Sequence, residues 1–320
     1  FGFTEGYKNT SNTKKSGNKS HFFSQFVKKF KGRKGSDNEF KLALQKVSNK
    51  KYLKLYKIKN DLVSYENDIL ENSLSFSHEN EDLFVGLKAS AFEDLTENNT
   101  NDEFEYILPD IILDKNLFSN SKYGYADLQS NLIFHNFETN KFTKFFINDI
   151  DWKYKQFNHT SGLKGRLLGK LKNINYEAKN TSIYKTDTTH EMFGAIGYLS
   201  EMSLYKKIKD NSKHFLTPKM LLRYAPGHMR EETSKTRLNH SNIFTLDRLN
   251  TNKNFESGLS TTVGFDYELE NSNKKLDFSI AQIINEKENK NMPSSSSLDQ
   301  RFSDVIGHSQ LDINDNVKLT

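Results

Sequence analysis

A mean hydropathy of −0.76, with only 35% hydrophobic residues in 320, leaves no run of eighteen apolar residues and so excludes a bundle of membrane-crossing helices. The lack of cysteine excludes a disulfide framework and any thiolate metal site. The 46 basic and 41 acidic residues are interspersed to a net charge of +5, with no basic, aromatic-studded motif of the kind a nucleic-acid reader needs. A transmembrane β-barrel passes the same tests, because its strands are apolar only at alternate positions and its loops are long and polar.

In chain order, Phe1 to Ser20 reads as a strand end followed by a polar loop. Next come a loosely alternating run from His21 to Phe30, a basic turn from Lys31 to Gly35, and Glu39 to Val47 with Phe40, Leu42 and Leu44 on one face. These predict a hairpin. Tyr52 to Ile58 fits a strand or a short helix equally well. Leu74–Ser77 and Leu83–Phe92 form the next pair, and an acidic loop from Glu93 to Glu105 follows. Pro109 then lies between two apolar triplets and, lacking a ladder donor, belongs at a strand edge or bend.

Tyr123 to Phe137 alternates again, Glu138 to Lys141 is a turn by composition, and Phe142 to Phe157 is the partner strand. In it Ile150, Trp152 and Tyr154 are expected to face lipid, while Asp149, Asp151, Lys153 and Lys155 face a wet lumen. Leu163 to Ser182 is a further strand. His190 to Tyr205 is a strand pair, or one strand bulged at Gly194 and Gly197. Phe215 to Tyr224 then runs into Ala225, Pro226, Gly227 and a polar loop.

The strongest periodicity lies beyond that loop. From Leu259 to Glu270 the odd positions Leu259, Thr261, Val263, Phe265, Tyr267 and Leu269 alternate with Ser260, Thr262, Gly264, Asp266, Glu268 and Glu270. After a polar tetrad, Asn271 to Lys274, the alternation resumes through Leu276, Phe278 and Ile280. A strand of about ten residues is long for a globular domain and suits a tilted crossing of a bilayer, with Leu259, Val263, Phe265 and Tyr267 toward lipid. A soluble β-sandwich shares the alternation and stays open as a β-rich binding protein. Roughly a dozen strands with alternately short and long connections nevertheless favour an antiparallel transmembrane β-barrel, an all-β fold.

Enzyme motifs such as Gly-x-Ser-x-Gly, a phosphate loop or His-Glu-x-x-His are absent, so no catalytic residue, metal or cofactor is expected. For an outer-membrane barrel enzyme the candidates are His228 or His240 with Asp247, or Ser303 with His308, related only by proximity in sequence, and a porin-like channel is a further alternative. Three local features stand out: Arg223, Tyr224, Ala225, Pro226, Gly227; then Asp247, Arg248, Glu256 and Gly258; then Ser303, Asp304, Val305, Ile306, Gly307. Structurally they read as a strand end and turn, an ion pair inside a barrel, and a bend.

In this order and spacing they resemble the C-terminal barrel domain of the LptD, or organic-solvent-tolerance, family of lipopolysaccharide-assembly proteins. HSNIFTLDRLNTNKNFESGLSTTVGFDYEL, LDFSIAQII with Gln282, and SDVIG carry the resemblance. LTPKMLLRYAPGHMR and VSNKKYLKLYKI add to it upstream. The family landmarks are Asp247, Arg248, Glu256, Gly258, Gln282, Ser303, Asp304 and Gly307. The resemblance implies a large barrel in the bacterial outer membrane that is plugged by an LptE-type lipoprotein and works without bond chemistry. Lipopolysaccharide would arrive over a periplasmic Lpt bridge and leave sideways into the outer leaflet. Arg223, Tyr224, Pro226 and Gly227 would be the contacts to the plug. Residues 1–320 would all be barrel, and a fragment of it. The chain opens at Phe1 without a signal core and closes in an alternating Val317 to Thr320, so the periplasmic jelly-roll domain and the last strands are expected outside it. The cysteines of some members are missing, and a disulfide-controlled assembly step is not carried over.

Overall fold

The computed structural model describes residues 2–6, 19–96, 104–138, 141–208, 212–232, 236–249, 251, 253–271, 274–314 and 317–319. The described strands belong to one sheet of seventeen. They are β1 (Gly2–Gly6), β2 (Lys19–Lys31), β3 (Asp37–Val47), β4 (Ile69–Glu79), β5 (Leu83–Asp94), β6 (Phe104–Asn120), β7 (Gly124–Glu138), β8 (Lys141–Lys153) and β9 (Phe157–Asn158). There follow β10 (Leu163–Lys179), β11 (Thr189–Met202), β12 (Leu204–Lys207), β13 (Lys213–Ala225), β14 (Gly258–Asn271), β15 (Lys274–Asn285), β16 (Ile306–Asn314) and β17 (Val317–Leu319). β6 and β10 reach 17 residues each, about three times the usual strand. An all-β antiparallel meander with strands this long is what a partial β-barrel requires. The middles of the predicted turns, Thr139 with Asn140 and Ser272 with Asn273, lie outside the described residues, as do residues 7–18 of the first loop and 97–103 of the acidic one.

The chain divides into two compact units, 1–116 with 128–148 and 174–191, and 117–127 with 149–173 and 192–320. In the first, β2 and β3 form the expected hairpin, closed by a 3-10 turn at Arg33–Gly35. Lys29 and Lys31 stand opposite Glu39 and Asp37 at 3.0 and 2.6 Å. Pro109 sits where the β5–β6 register shifts between Lys88 and Ser90, so the missing donor falls at a bulge and breaks no regular rung. Tyr52–Tyr56 is a helix, α1. Consecutive residues Tyr52 and Leu53 are both buried, as a helical turn allows and a half-buried strand does not. The connection 48–68 holds this helix over the sheet in a core of Phe23, Val47, Tyr52, Leu53, Val63, Leu70 and Leu95.

In the second unit β13, β14 and β15 pair without a break, Lys213 with Glu270 through Ala225 with Gly258, and Ser260 with Asn285 through Asn271 with Lys274. Registry places Leu216, Met220, Leu222 and Tyr224 on the same face as Leu259, Val263 and Phe265. The other face carries Thr217, Lys219, Leu221 and Arg223, then Ser260, Thr262, Asp266 and Glu268, then Asp277, Ser279 and Ile283. β11 pairs with β13 in unshifted register from Ile196 to Glu201, so Gly197 marks no bulge. It makes room for a loop side chain instead, since a Cβ there would lie 2.6 Å from Leu246 Cδ2.

Candidate functional site

At one end of β13 to β15 the polar face is covered by two connections, 226–257 and 286–305. Their apolar residues Met229, Leu238, Ile243, Leu249, Met292 and Leu298 close over Ala281 and Ile283 of β15. Burying a polar strand face in this way requires every charge on it to find a partner.

Arg223, on the last polar-face position but one of β13, is 1% exposed. Its Nε donates to the carbonyl of Leu246 at 2.7 Å and its Nη2 to the carbonyl of Glu256 at 2.5 Å. Arg248, fully buried, grips the Glu256 carboxylate with both arms: Nε donates to Oε2 at 2.7 Å, and Nη2 donates to Oε1 and also to Ser260 Oγ of β14 at 2.8 Å. Arg223 Nη1 stands 3.7 Å from the same carboxylate. Burial would push the Glu256 carboxyl up, but Arg223 and Arg248 outweigh it and hold it below the ordinary carboxylate range. Gly258, at φ +112°, turns the chain from this clamp into β14, a conformation that disfavours any side chain.

Asp247, next to Arg248 in sequence, points elsewhere. Its Oδ2 accepts from Lys172 Nζ of β10 at 2.8 Å, and that ammonium also donates to the Thr251 carbonyl at 2.6 Å and lies 3.8 Å from Asp149 of β8. Asp247 and Arg248 are therefore two anchors of one loop, to β10 and to β14, and are not paired with each other. Phe255 lies beneath both anchors, with the Arg223 guanidinium 5.6 Å and the Lys172 ammonium 5.8 Å from its ring centre. Three basic residues, Arg223, Arg248 and Lys172, stand against three acidic ones, Glu256, Asp247 and Asp149, so the formal charges of the buried network cancel.

The second connection is fastened through Ser303. Its N–H donates to the Ile283 carbonyl at 3.0 Å, and its Oγ accepts from Ile283 N–H at 2.9 Å and donates to the Asp304 carbonyl at 2.8 Å. Gln282 Nε2 donates to the Ser303 carbonyl at 2.9 Å, while the Asp304 N–H donates to Ser297 Oγ at 2.5 Å. Gly307 is the second residue of β16, opposite Ile280. All eight landmark residues thus lie at or beside the fastenings of the two connections.

The candidate plug contacts divide. Arg223 is buried in the network; Tyr224 projects from the opposite, apolar face; Pro226 and Gly227 are exposed at the start of the connection. Leu259, Val263 and Phe265 are 37, 40 and 36% exposed on the apolar face, which Tyr267 shares while its hydroxyl bonds to His214 at 2.7 Å. Ile150 and Trp152 stand on the face of β8 away from Asp149 and Asp151, and Tyr154 follows just past the strand. None of the suggested enzyme pairs forms among the described residues: Asp247 serves Lys172, the His240 ring stacks on His308 at 4.1 Å, and Ser303 is committed to backbone. Lys172 and Asp149 were not singled out from sequence as a pair. Their signal was a lysine and an aspartate at polar-face positions beside Ile174 and Ile147, where neighbouring burial leaves an ion no water.

Residues 24–320 match the sequence model of the LptD family, described as LPS transport system D. No curated protein matches the chain. With the match spanning almost all of an all-β chain of long antiparallel strands, the chain belongs to the LptD family.

Proposed function

We propose that this chain forms part of an outer-membrane barrel that passes lipopolysaccharide from a periplasmic Lpt bridge to the outer leaflet, and that residues 1–320 all belong to that barrel domain. The observation that carries the reading is the chemical split of the β13–β15 sheet. Leu222, Tyr224, Val263 and Phe265 project on one side, while Lys219, Asp266, Glu268 and Asp277 project on the other, with Lys219 paired across strands to Asp266 and Lys275 to Glu268. An amphiphile with a large anionic saccharide needs a wet, polar route for its sugars while its acyl chains stay in hydrocarbon, and a barrel that parts at a lateral opening offers both.

The connection 226–257, fixed by its two anchors, narrows the polar side and stands beside an LptE-type lipoprotein plug, with the exposed Pro226 and Gly227 at the contact. Photo-crosslinking groups placed at Asp266 and Asp277 should capture lipopolysaccharide in cells, and those at Val263 and Phe265 should capture phospholipid. Lipopolysaccharide captured from the apolar positions alone would overturn the assignment of faces. A crosslinker at Gly227 should capture a lipoprotein, and its failure to do so would remove the plug from the reading.

A further inference from the structure

We propose that the region around Trp152 binds the phosphate headgroup of an anionic phospholipid, with Lys122 and Lys155 as its cationic arms. The proposal rests on the reading above, in which apolar strand faces meet the membrane. Trp152 is held rigidly: a Cβ at Gly169 would lie 3.0 Å from its Cε3, so the glycine admits the indole, and its Nε1–H donates to the Tyr123 carbonyl at 3.0 Å. Tyr154 meets the indole edge-on at 5.7 Å and Phe157 extends the shelf at 5.3 Å from Tyr154. Two residues back along β8 and two on from Gly169 in β10, Ile150 and Leu171 are 36 and 44% exposed on the same faces, so hydrocarbon-facing surface adjoins the aromatic shelf. Amphipathic rings between apolar surface and water settle at headgroup depth.

Lys122 lies 5.0 Å from the ring of Tyr123, the residue whose carbonyl takes the indole N–H, and Lys155, which follows the end of β8 and is not held to the lumen side of its alternation, lies 5.9 Å from the ring of Tyr154. On the neighbouring strand β10, Lys170 and Lys172 are matched by carboxylates, Lys170 by Asp151 at 2.6 Å and Lys172 by Asp247. Among the described residues neither Lys122 nor Lys155 has a carboxylate partner. Two uncompensated ammonium groups at headgroup depth complement a phosphate with a net negative charge, and each cation at such a surface favours binding by about fivefold.

Trp152 is the single tryptophan of the chain and reports directly on this surface. The protein is reconstituted in vesicles of phosphatidylcholine with a minor share of phosphatidylglycerol, one or the other brominated on its acyl chains, with Trp152→Phe as the background. The expected result is quenching by both lipids, with an apparent association about fivefold or more stronger for the brominated phosphatidylglycerol. That preference should disappear in Lys122→Gln/Lys155→Gln while quenching by brominated phosphatidylcholine persists, which also shows that the variant is inserted. Equal quenching of the unaltered protein by the two lipids, or a preference that survives the double substitution, overturns the headgroup site and leaves the lipid-facing assignment standing. No quenching by either overturns both.

Discussion

Segment 48–68 of the first unit and segment 226–257 of the second each fold back over strands of their own unit, and they are held by different physics. Segment 48–68 is closed by apolar packing around Tyr52, Leu53 and Val63, with one buried polar contact between His21 Nδ1 and the Tyr52 hydroxyl at 3.1 Å. Segment 226–257 has an apolar core of similar make-up, but it is pinned in addition by Arg223, Arg248 and Lys172 against Glu256, Asp247 and Asp149. A hydrophobic closure tolerates loss in proportion to the area removed. A buried ionic closure is all or none, because removing one partner strands the others away from water. The first connection is therefore graded in its stability and the second is specific in its position.

The sharpest break in this comparison is Glu256→Gln. It leaves Arg223 and Arg248 buried against a neutral amide and should destabilise the 226–257 connection by about 3–5 kcal/mol. Urea titration in detergent with hydrogen exchange followed peptide by peptide would measure it. Replacing Arg248 and Glu256 together by Met and Leu should recover part of the loss, since the desolvation penalty of Arg248 goes with its charge while Arg223 stays buried without its carboxylate. A loss below about 1 kcal/mol for the single substitution would place the pair with surface ion pairs and dissolve the contrast.

Acid should act on the same clamp. The folded carboxyl of Glu256 lies below its unfolded value, so its stabilisation is fully present above the unfolded value of about 4.3 and is lost as pH falls through the folded one. Exchange of 226–257 should therefore quicken on acidification below about pH 4.3 in the unaltered protein, and the gap to Glu256→Gln should shrink over the same window. A gap independent of pH would mean that the glutamate acts by shape alone.

Leu53→Ala is the counterpart in the first connection. Leu53 is 1% exposed in a closed apolar cluster, and truncation should cost about 2–4 kcal/mol with the loss confined to 48–68. Leu53→Met, which nearly conserves volume, should cost less than about 1.5 kcal/mol. If the Met variant were as damaging as the Ala one, packing area would not be what closes this region.

Much of this architecture is legible in the order of the residues, and the illegible part has a common cause. β14 was predictable because Leu259 to Leu269 alternates apolar with polar at every step but Thr261, and the landmarks from Arg223 to Gly307 are local enough to be recognised in sequence. The strand count fell short because β1, β9, β12 and β17, of 5, 2, 4 and 3 residues, are too brief for any period. In α1 a pair of adjacent buried residues decides for the helix, but which residues are buried depends on Phe23, Val47 and Leu95 in other strands. The direction taken by Asp247 and Arg248 was equally hidden: their partners lie on β10 and β14, and only the register of the sheet brings Lys172 and Ser260 within reach.

Tyr52→Phe tests the comparison most finely. It keeps the ring that packs 4.9 Å from Tyr56 and 5.5 Å from His21, and it removes only the hydroxyl that His21 contacts. A single neutral hydrogen bond contributes about 1 kcal/mol, and His21 keeps its stacking on Phe23 at 4.6 Å, so the loss should be about 1 kcal/mol and visible as faster exchange in 48–68 alone. A loss equal to that of Leu53→Ala would give the first connection a polar pin of its own. The two regions would then differ in the charge of the pin, and no longer in whether one is used.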